Sequence, residues 1–378
     1  MSGRKYYLDN IRWATILLVV VYHVFFYFNN VGVTAIFPGL PAYRAGETVR
    51  PDALYQYMVY PWFMVLLFVV AGIASRAALG KKPVGRYLRG RACKLLAPSV
   101  LGVLCFGWIS GHIVSGHSAG DTLNGIPRFV RWIIDTCAGI GALWFCQLLF
   151  AATLCLLAIR ALDKKLGKGR ERLCALAEKC ALPLLFLAYF ILWGAGQVAN
   201  MPVVLAYRFG FYTAGYLLGY YLFAQDRVMN LLKKWRFALL AAAMLSGLYF
   251  ALKTYGTYYA AMPVLKAWYT NLFAYLAVLA ILGLGAQYFG ERSALTDFCT
   301  NNSFAVYVLH IPVLLVTLQL LEGLALPMPL RYLLALAAAL ILSLGLGRLI
   351  GRVPVLRFVV LGIKSTKKRT KNKAAAAP

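Results

Sequence analysis

A bilayer-spanning helix needs roughly 20 mostly apolar residues, and ten stretches of this chain supply them. They cover about 11–31, 59–79, 95–115, 142–160, 181–199, 207–224, 237–253, 270–290, 303–321 and 330–350. A chain that crosses lipid this often must satisfy its backbone polar groups within each segment, which leaves helices as the solution. Composition agrees: 62% of residues are hydrophobic and 13% charged, against about 45–50% and 25% in soluble domains. A soluble enzyme, a secreted disulfide scaffold and a disordered chain are excluded. The expected fold is an all-α polytopic membrane protein of about ten transmembrane helices. The first stretch is too long and too tyrosine-rich for a cleaved signal peptide, so it reads as a retained first helix.

Charge sets the orientation. The formal net charge is +27, a value that in a soluble protein would suggest nucleic acid. Here the charge is divided among short loops with no folded domain to present it, so the partner expected is the lipid bilayer and no nucleic acid. Thirty of the 39 Lys and Arg residues fall on one alternating set of connections, which includes both termini. That places both termini in the cytoplasm, with the plasma membrane of a bacterial cell as the expected location. The chain divides into a cytoplasmic N-terminus (1–10), a membrane domain (11–352), and an interfacial segment with a basic tail (353–378). None of the eight cysteines forms a CxxC pair, and neither a disulfide framework nor a metal site is suggested.

Ionisable residues inside spans are costly and mark function by default. In the first span, Arg12 and His23 are eleven residues apart. At about 100° per residue that is three turns plus about 20°, so both side chains share one face. Arg12 falls at the cytoplasmic edge, as a headgroup anchor or a ligand contact. His23 falls near mid-membrane, as an interhelical hydrogen-bonding group or a general base. Asp9 lies one turn before Arg12, close enough to pair with it.

Asp9, Arg12 and His23, in the setting L-D-x-x-R-x10-H at the start of a first membrane helix, resemble the signature of the membrane acyltransferase 3 family. Three further stretches are similar to family segments: YLRGRACKLLAP at 87–98, LWFC at 143–146, and SFAVYVLHIP at 303–312. The second basic position of the 87–98 segment is Lys94 where the family usually has arginine. That keeps charge but loses the bidentate fork. The resemblance covers nearly the whole membrane domain. It implies acyl transfer from cytoplasmic acyl-CoA, commonly acetyl-CoA, to a hydroxyl of a carbohydrate or glycolipid, with no bound cofactor. It implies His23 and Arg12 as the catalytic residues, with His23 as the base or a transient acyl carrier. The candidate acyl-CoA-binding residues are Arg12, Arg86, Arg89, Arg91 and Lys94; Asp9, Tyr307 and His310 are supporting.

Other polar residues carry less. His112 and His117 read as wet interfacial histidines, Asp121 and Asp135 as solvated loop acids, and Trp144 as a packing aromatic. A transporter or flippase with Gln147, Gln197, Asn200 and Gln319 along a solute path is the rival reading, although no repeated halves are visible. A non-catalytic scaffold is the third.

Overall fold

The computed structural model describes residues 5–33, 37, 40, 49–119, 123, 125–167, 169–200 and 208–364. Its helices run in chain order as α1 (Tyr6–Asn29), α2 (Leu54–Val59), α3 (Phe63–Leu79), α4 (Val84–Leu96), α5 (Val103–Ala119) and α6 (Arg128–Ala138). There follow α7 (Trp144–Leu166), α8 (Gly169–Lys179), α9 (Ala181–Gln197), α10 (Phe209–Leu218), α11 (Asp226–Lys234) and α12 (Arg236–Thr254). The chain continues through α13 (Met262–Lys266), α14 (Trp268–Tyr288), α15 (Ala294–Leu321), α16 (Met328–Arg352) and α17 (Pro354–Leu361). The fold is all-α and polytopic, as the apolar runs require.

Among the described residues, eight helical stretches are long and apolar enough to cross a membrane. The expected segments 181–199 and 207–224 are shorter than that: α9 has 17 residues and α10 has ten, followed by a π turn at Gly219–Phe223. α8 and α9 meet at a bend of 118°. The first helix starts at Tyr6, ahead of the expected boundary. α4 and α5 form one helical run interrupted by a π turn at Ala97–Gly102, where Pro98 lacks the N–H that a regular helix would use. The short α17 turns Val360 and Leu361 inward, and the basic tail beyond residue 364 lies outside the described residues.

The largest departure from expectation concerns 116–141, which reads as an outer loop in sequence. α6 instead folds back along α5, so closely that a Cβ on Gly111 would run into the Asp135 carbonyl. Membrane helices approach this tightly only where residues are small. Asp135 is therefore no solvated loop acid. It is 4% exposed, accepts a hydrogen bond from Ser115, and lies 3.1 Å from His112 Nδ1 and 3.8 Å from Arg131 Nε. His112 is thereby tied to the hairpin, and His117 lies 3.6 Å from Glu322. Asp121 falls outside the described residues. Overpacking a close helix contact costs about 1–3 kcal/mol, so Gly111→Ala should lower the thermal midpoint of the detergent-solubilised protein by several degrees. An unchanged midpoint would contradict the hairpin.

After α6 the chain breaks at Gly139–Leu143 before α7 begins. Gly141 sits at φ +48°, a backbone region that suits glycine. Irregular backbone between apolar helices is tolerated where it lines a cavity, and this break does so.

Candidate active site

Six residues spaced three and four apart on α1 form a single stripe: Asp9, Arg12, Ile16, Val19, His23 and Phe26. The first three line one cavity of about 1220 Å³, and the last three line a second of about 260 Å³. The boundary between the two cavities thus falls within one turn of α1, between Ile16 and Val19. Arg12 and His23 occupy opposite sides of it, about 16 Å apart along the axis.

The larger cavity is cationic. Lys5, Arg12, Arg76, Lys81, Lys82, Arg91 and Lys94 all line it, against Asp9 and Asp226. Arg12 Nη2 donates to Asp9 Oδ1 at 2.7 Å, and Lys5 Nζ to Asp226 Oδ1 at 2.9 Å. Arg91 is held differently, by neutral oxygens. It donates to Tyr87 Oη (3.0 Å), Ser75 Oγ (2.8 Å) and Tyr216 Oη (3.4 Å). Such partners fix the guanidinium in place without cancelling its charge, which remains available to an anion. Arg76 is anchored to the Tyr220 carbonyl (3.3 Å) and to Cys174 Sγ (3.3 Å). The Lys94 ammonium lies 5.4 Å from the centre of the Phe304 ring. Tyr87, Arg91 and Lys94 share a stripe of α4, whereas Arg86 and Arg89 are exposed elsewhere on the helix and do not line the cavity.

The smaller cavity is aromatic, lined by Tyr22, Phe26, Tyr60, Trp144, Tyr212 and Tyr258 among others. Trp144 therefore faces the cavity rather than serving only as packing. Tyr22 Oη lies 2.9 Å from Tyr259 Oη, which accepts from Gln56 Nε2 at 3.0 Å. Burial raises the Tyr258 phenol above its ordinary pKa, so it stays protonated and able to donate.

Behind His23 stands His310, which is 0% exposed. His310 Nδ1 faces the carbonyls of Tyr307 (2.7 Å) and Val306 (3.2 Å). A nitrogen facing two carbonyls carries the proton, so Nε2 of the neutral ring holds the lone pair. That Nε2 lies 3.2 Å from His23 Nδ1, which is also 2.8 Å from the Val19 carbonyl. His23 Nδ1 is in turn the protonated nitrogen, shared between two acceptors. The lone pair of His23 is left on Nε2, and its ring borders the aromatic cavity. Tyr307, one turn before His310, donates its hydroxyl to the Ala142 carbonyl at the α6–α7 break.

Of the residues sequence reasoning singled out, Asp9, Arg12, His23, Arg91, Lys94 and Tyr307 line the two cavities, His310 stands behind His23, and Arg86 and Arg89 line neither. Sequence reasoning missed Ser75, Tyr216 and the cavity-lining tyrosines, and it gave no role to Arg76. The available signal was a Ser-Arg pair ending an apolar helix. Arg208, at the start of the expected 207–224 stretch, is 1% exposed. It donates to Asn200 Oδ1 and Asn271 Oδ1, each at 3.3 Å, and stacks 3.9 Å from the Phe211 ring. Gln147 and Gln197 spend their amides on the carbonyls of Ser99, Trp193 and Lys266.

No curated protein and no solved structure matches this chain. The family model of an acyltransferase domain matches residues 5–348. That match runs from the start of α1 through nearly all of α16 and takes in both cavities and both histidines, so the chain belongs to the membrane acyltransferase 3 family.

Proposed function

We propose that this acyltransferase moves an acetyl group from cytoplasmic acetyl-CoA to a hydroxyl of a carbohydrate or glycolipid presented from the far side of the plasma membrane. The observation that carries this reading is the single α1 stripe, which leads from a cationic cavity to an imidazole whose lone pair borders an aromatic one. The phosphates of CoA suit the first cavity, where Arg12, Arg91 and Lys94 offer positive charge, two of them through planar guanidinium forks. The aromatic cavity suits an uncharged acceptor, because flat rings pack against the C–H faces of sugars and phenols hydrogen-bond their hydroxyls.

The chemistry balances on His23. Its Nε2 takes the proton of the acceptor hydroxyl as that oxygen bonds to the thioester carbonyl carbon. The charge that develops on the carbonyl oxygen is met by hydrogen-bond donors of the cavity, with Tyr258 among those at hand. Collapse of the tetrahedral intermediate breaks the C–S bond, and the imidazolium returns its proton to the leaving thiolate. The products are an ester and free CoA. While His23 is charged, its Nδ1–H bond to the His310 lone pair strengthens, which stabilises the imidazolium.

Purified protein given labelled acetyl-CoA and envelope glycan should release CoA thiol only when acceptor is present. Cells lacking the gene should lose an acetyl ester from an envelope glycan, read by mass spectrometry. Unchanged glycans together with no acceptor-dependent thiol release would overturn the proposal.

A further inference from the structure

The geometry points to Tyr307 as the residue that sets how long an acyl chain this enzyme accepts. Tyr307 borders both cavities and is 2% exposed. Two other elements divide at the same level. On α1, Ile16 faces the cationic cavity and Val19 the aromatic one. At the start of α7, Phe145 faces the cationic cavity, while Ala142 and Trp144 face the aromatic one. The Tyr307 ring therefore stands in the partition between the two spaces.

Its position is fixed from several directions. The hydroxyl is bonded to the Ala142 carbonyl, which ties α15 to the break before α7. The ring packs edge-on to Phe145 at 5.8 Å between centroids and parallel to Phe304 at 6.5 Å. Its own carbonyl accepts from His310 Nδ1. A ring held in this way cannot swing aside without giving up a buried hydrogen bond.

This inference rests on the acyl-CoA reading above. A thioester delivered through the cationic cavity must bring its carbonyl carbon to the Tyr307 level to meet an oxygen activated by His23. Whatever extends beyond that carbon must fit beside the ring or enter the aromatic cavity of about 260 Å³, which the acceptor also needs. A two-carbon acyl group passes; each added methylene competes with the Tyr307 ring or with the acceptor. A single methylene in a close-fitting apolar pocket is worth about 10–200-fold in discrimination.

The test is a chain-length series of acetyl-, butyryl- and hexanoyl-CoA, read as kcat/KM with a fixed acceptor. For the wild type we expect a fall of at least about tenfold from acetyl to hexanoyl; a flat profile overturns the inference without any variant. Tyr307→Ala removes the ring and should raise the hexanoyl-to-acetyl ratio about tenfold or more. Tyr307→Phe keeps the ring and should keep the wild-type ratio even if its overall rate drops. An Ala variant with the wild-type ratio, or a Phe variant that relaxes it equally, also overturns the inference. If Tyr307→Ala does not fold, Tyr307→Leu carries the same readout. A wild type that transfers from no acyl-CoA refutes the donor assignment itself, a result distinct from a preserved chain-length ratio.

Discussion

His23→Ala is expected to lower kcat by about 10²–10⁴-fold, the range that a positioned general base contributes, while acetyl-CoA still binds. The imidazole sits on the far side of the Tyr307 partition from the cationic cavity, so donor binding and proton transfer are separable. His310→Ala removes the acceptor that holds His23 Nδ1–H and leaves only the Val19 carbonyl to fix the ring. The tautomer is kept, because the Val19 carbonyl still accepts from Nδ1, but the ring is held at one point only and the imidazolium loses the lone pair that stabilises it. A smaller loss of about 10–100-fold is expected, in line with the benefit of orienting a base through its second nitrogen. His310→Gln can present an amide oxygen to the same N–H and should recover part of that loss. If His310 acts through His23, the double variant His23→Ala/His310→Ala should be no slower than His23→Ala alone. The measurements are steady-state rates of CoA release and a binding isotherm for CoA on the same preparations. A folded, CoA-binding His23→Ala protein that turns over within threefold of wild type would remove the imidazole from the mechanism.

The part of this arrangement visible in the sequence was whatever one helix can encode. Arg12 and His23 are eleven residues apart on a single apolar run, and helical geometry alone places them on one stripe. The same reasoning, applied to α4, separates Tyr87, Arg91 and Lys94 from Arg86 and Arg89. Counting basic residues by loop had grouped all four arginine and lysine positions together, because sidedness takes no account of helical phase. α6 escaped notice for a different reason. Its eleven residues carry charges at Arg128, Arg131 and Asp135 among mostly apolar side chains and are too short to span, so a window tuned to whole crossings sees a loop. Its burial depends on Gly111 and Gly139 meeting partners on α5 and α6, which is tertiary information. Arg208 is hidden for the same reason, since its place at the end of an apolar stretch says nothing about the Asn200 and Asn271 amides that close around it. The His23–His310 pair joins residues 287 positions apart. Each histidine could be found separately, and the carbonyls that face each Nδ1 lie one turn back on its own helix; the contact between the two rings is what only the fold supplies.

At the other end of the stripe, Arg12→Ala should weaken acetyl-CoA binding more than the loss of one surface charge would suggest. Arg12 is paired with Asp9 at 2.7 Å, and both line the cationic cavity. Truncation removes a guanidinium and keeps a carboxylate in the space proposed for phosphates. Charge-assisted hydrogen bonds contribute about 1.5–3 kcal/mol, and every 1.4 kcal/mol is tenfold in affinity; a rise of about 10–100-fold in the KM for acetyl-CoA is therefore expected. Because Arg12 lies on the opposite side of the partition from His23, kcat at saturating donor should change far less. Adding Asp9→Asn to Arg12→Ala removes the carboxylate as well and should return part of the lost affinity, whereas Asp9→Asn alone should leave it at or above the wild-type value. If Arg12 served only to anchor α1 at the headgroups, the second substitution would restore nothing, and protein yield would fall in place of donor affinity. The binding should also weaken as salt rises, since the Debye length shortens from about 10 Å at 0.1 M to 3 Å at 1 M. That salt dependence should be shallower in Arg12→Ala, because one fewer cation takes part in the attraction. Equal slopes in the two proteins would mean that the phosphates bind elsewhere.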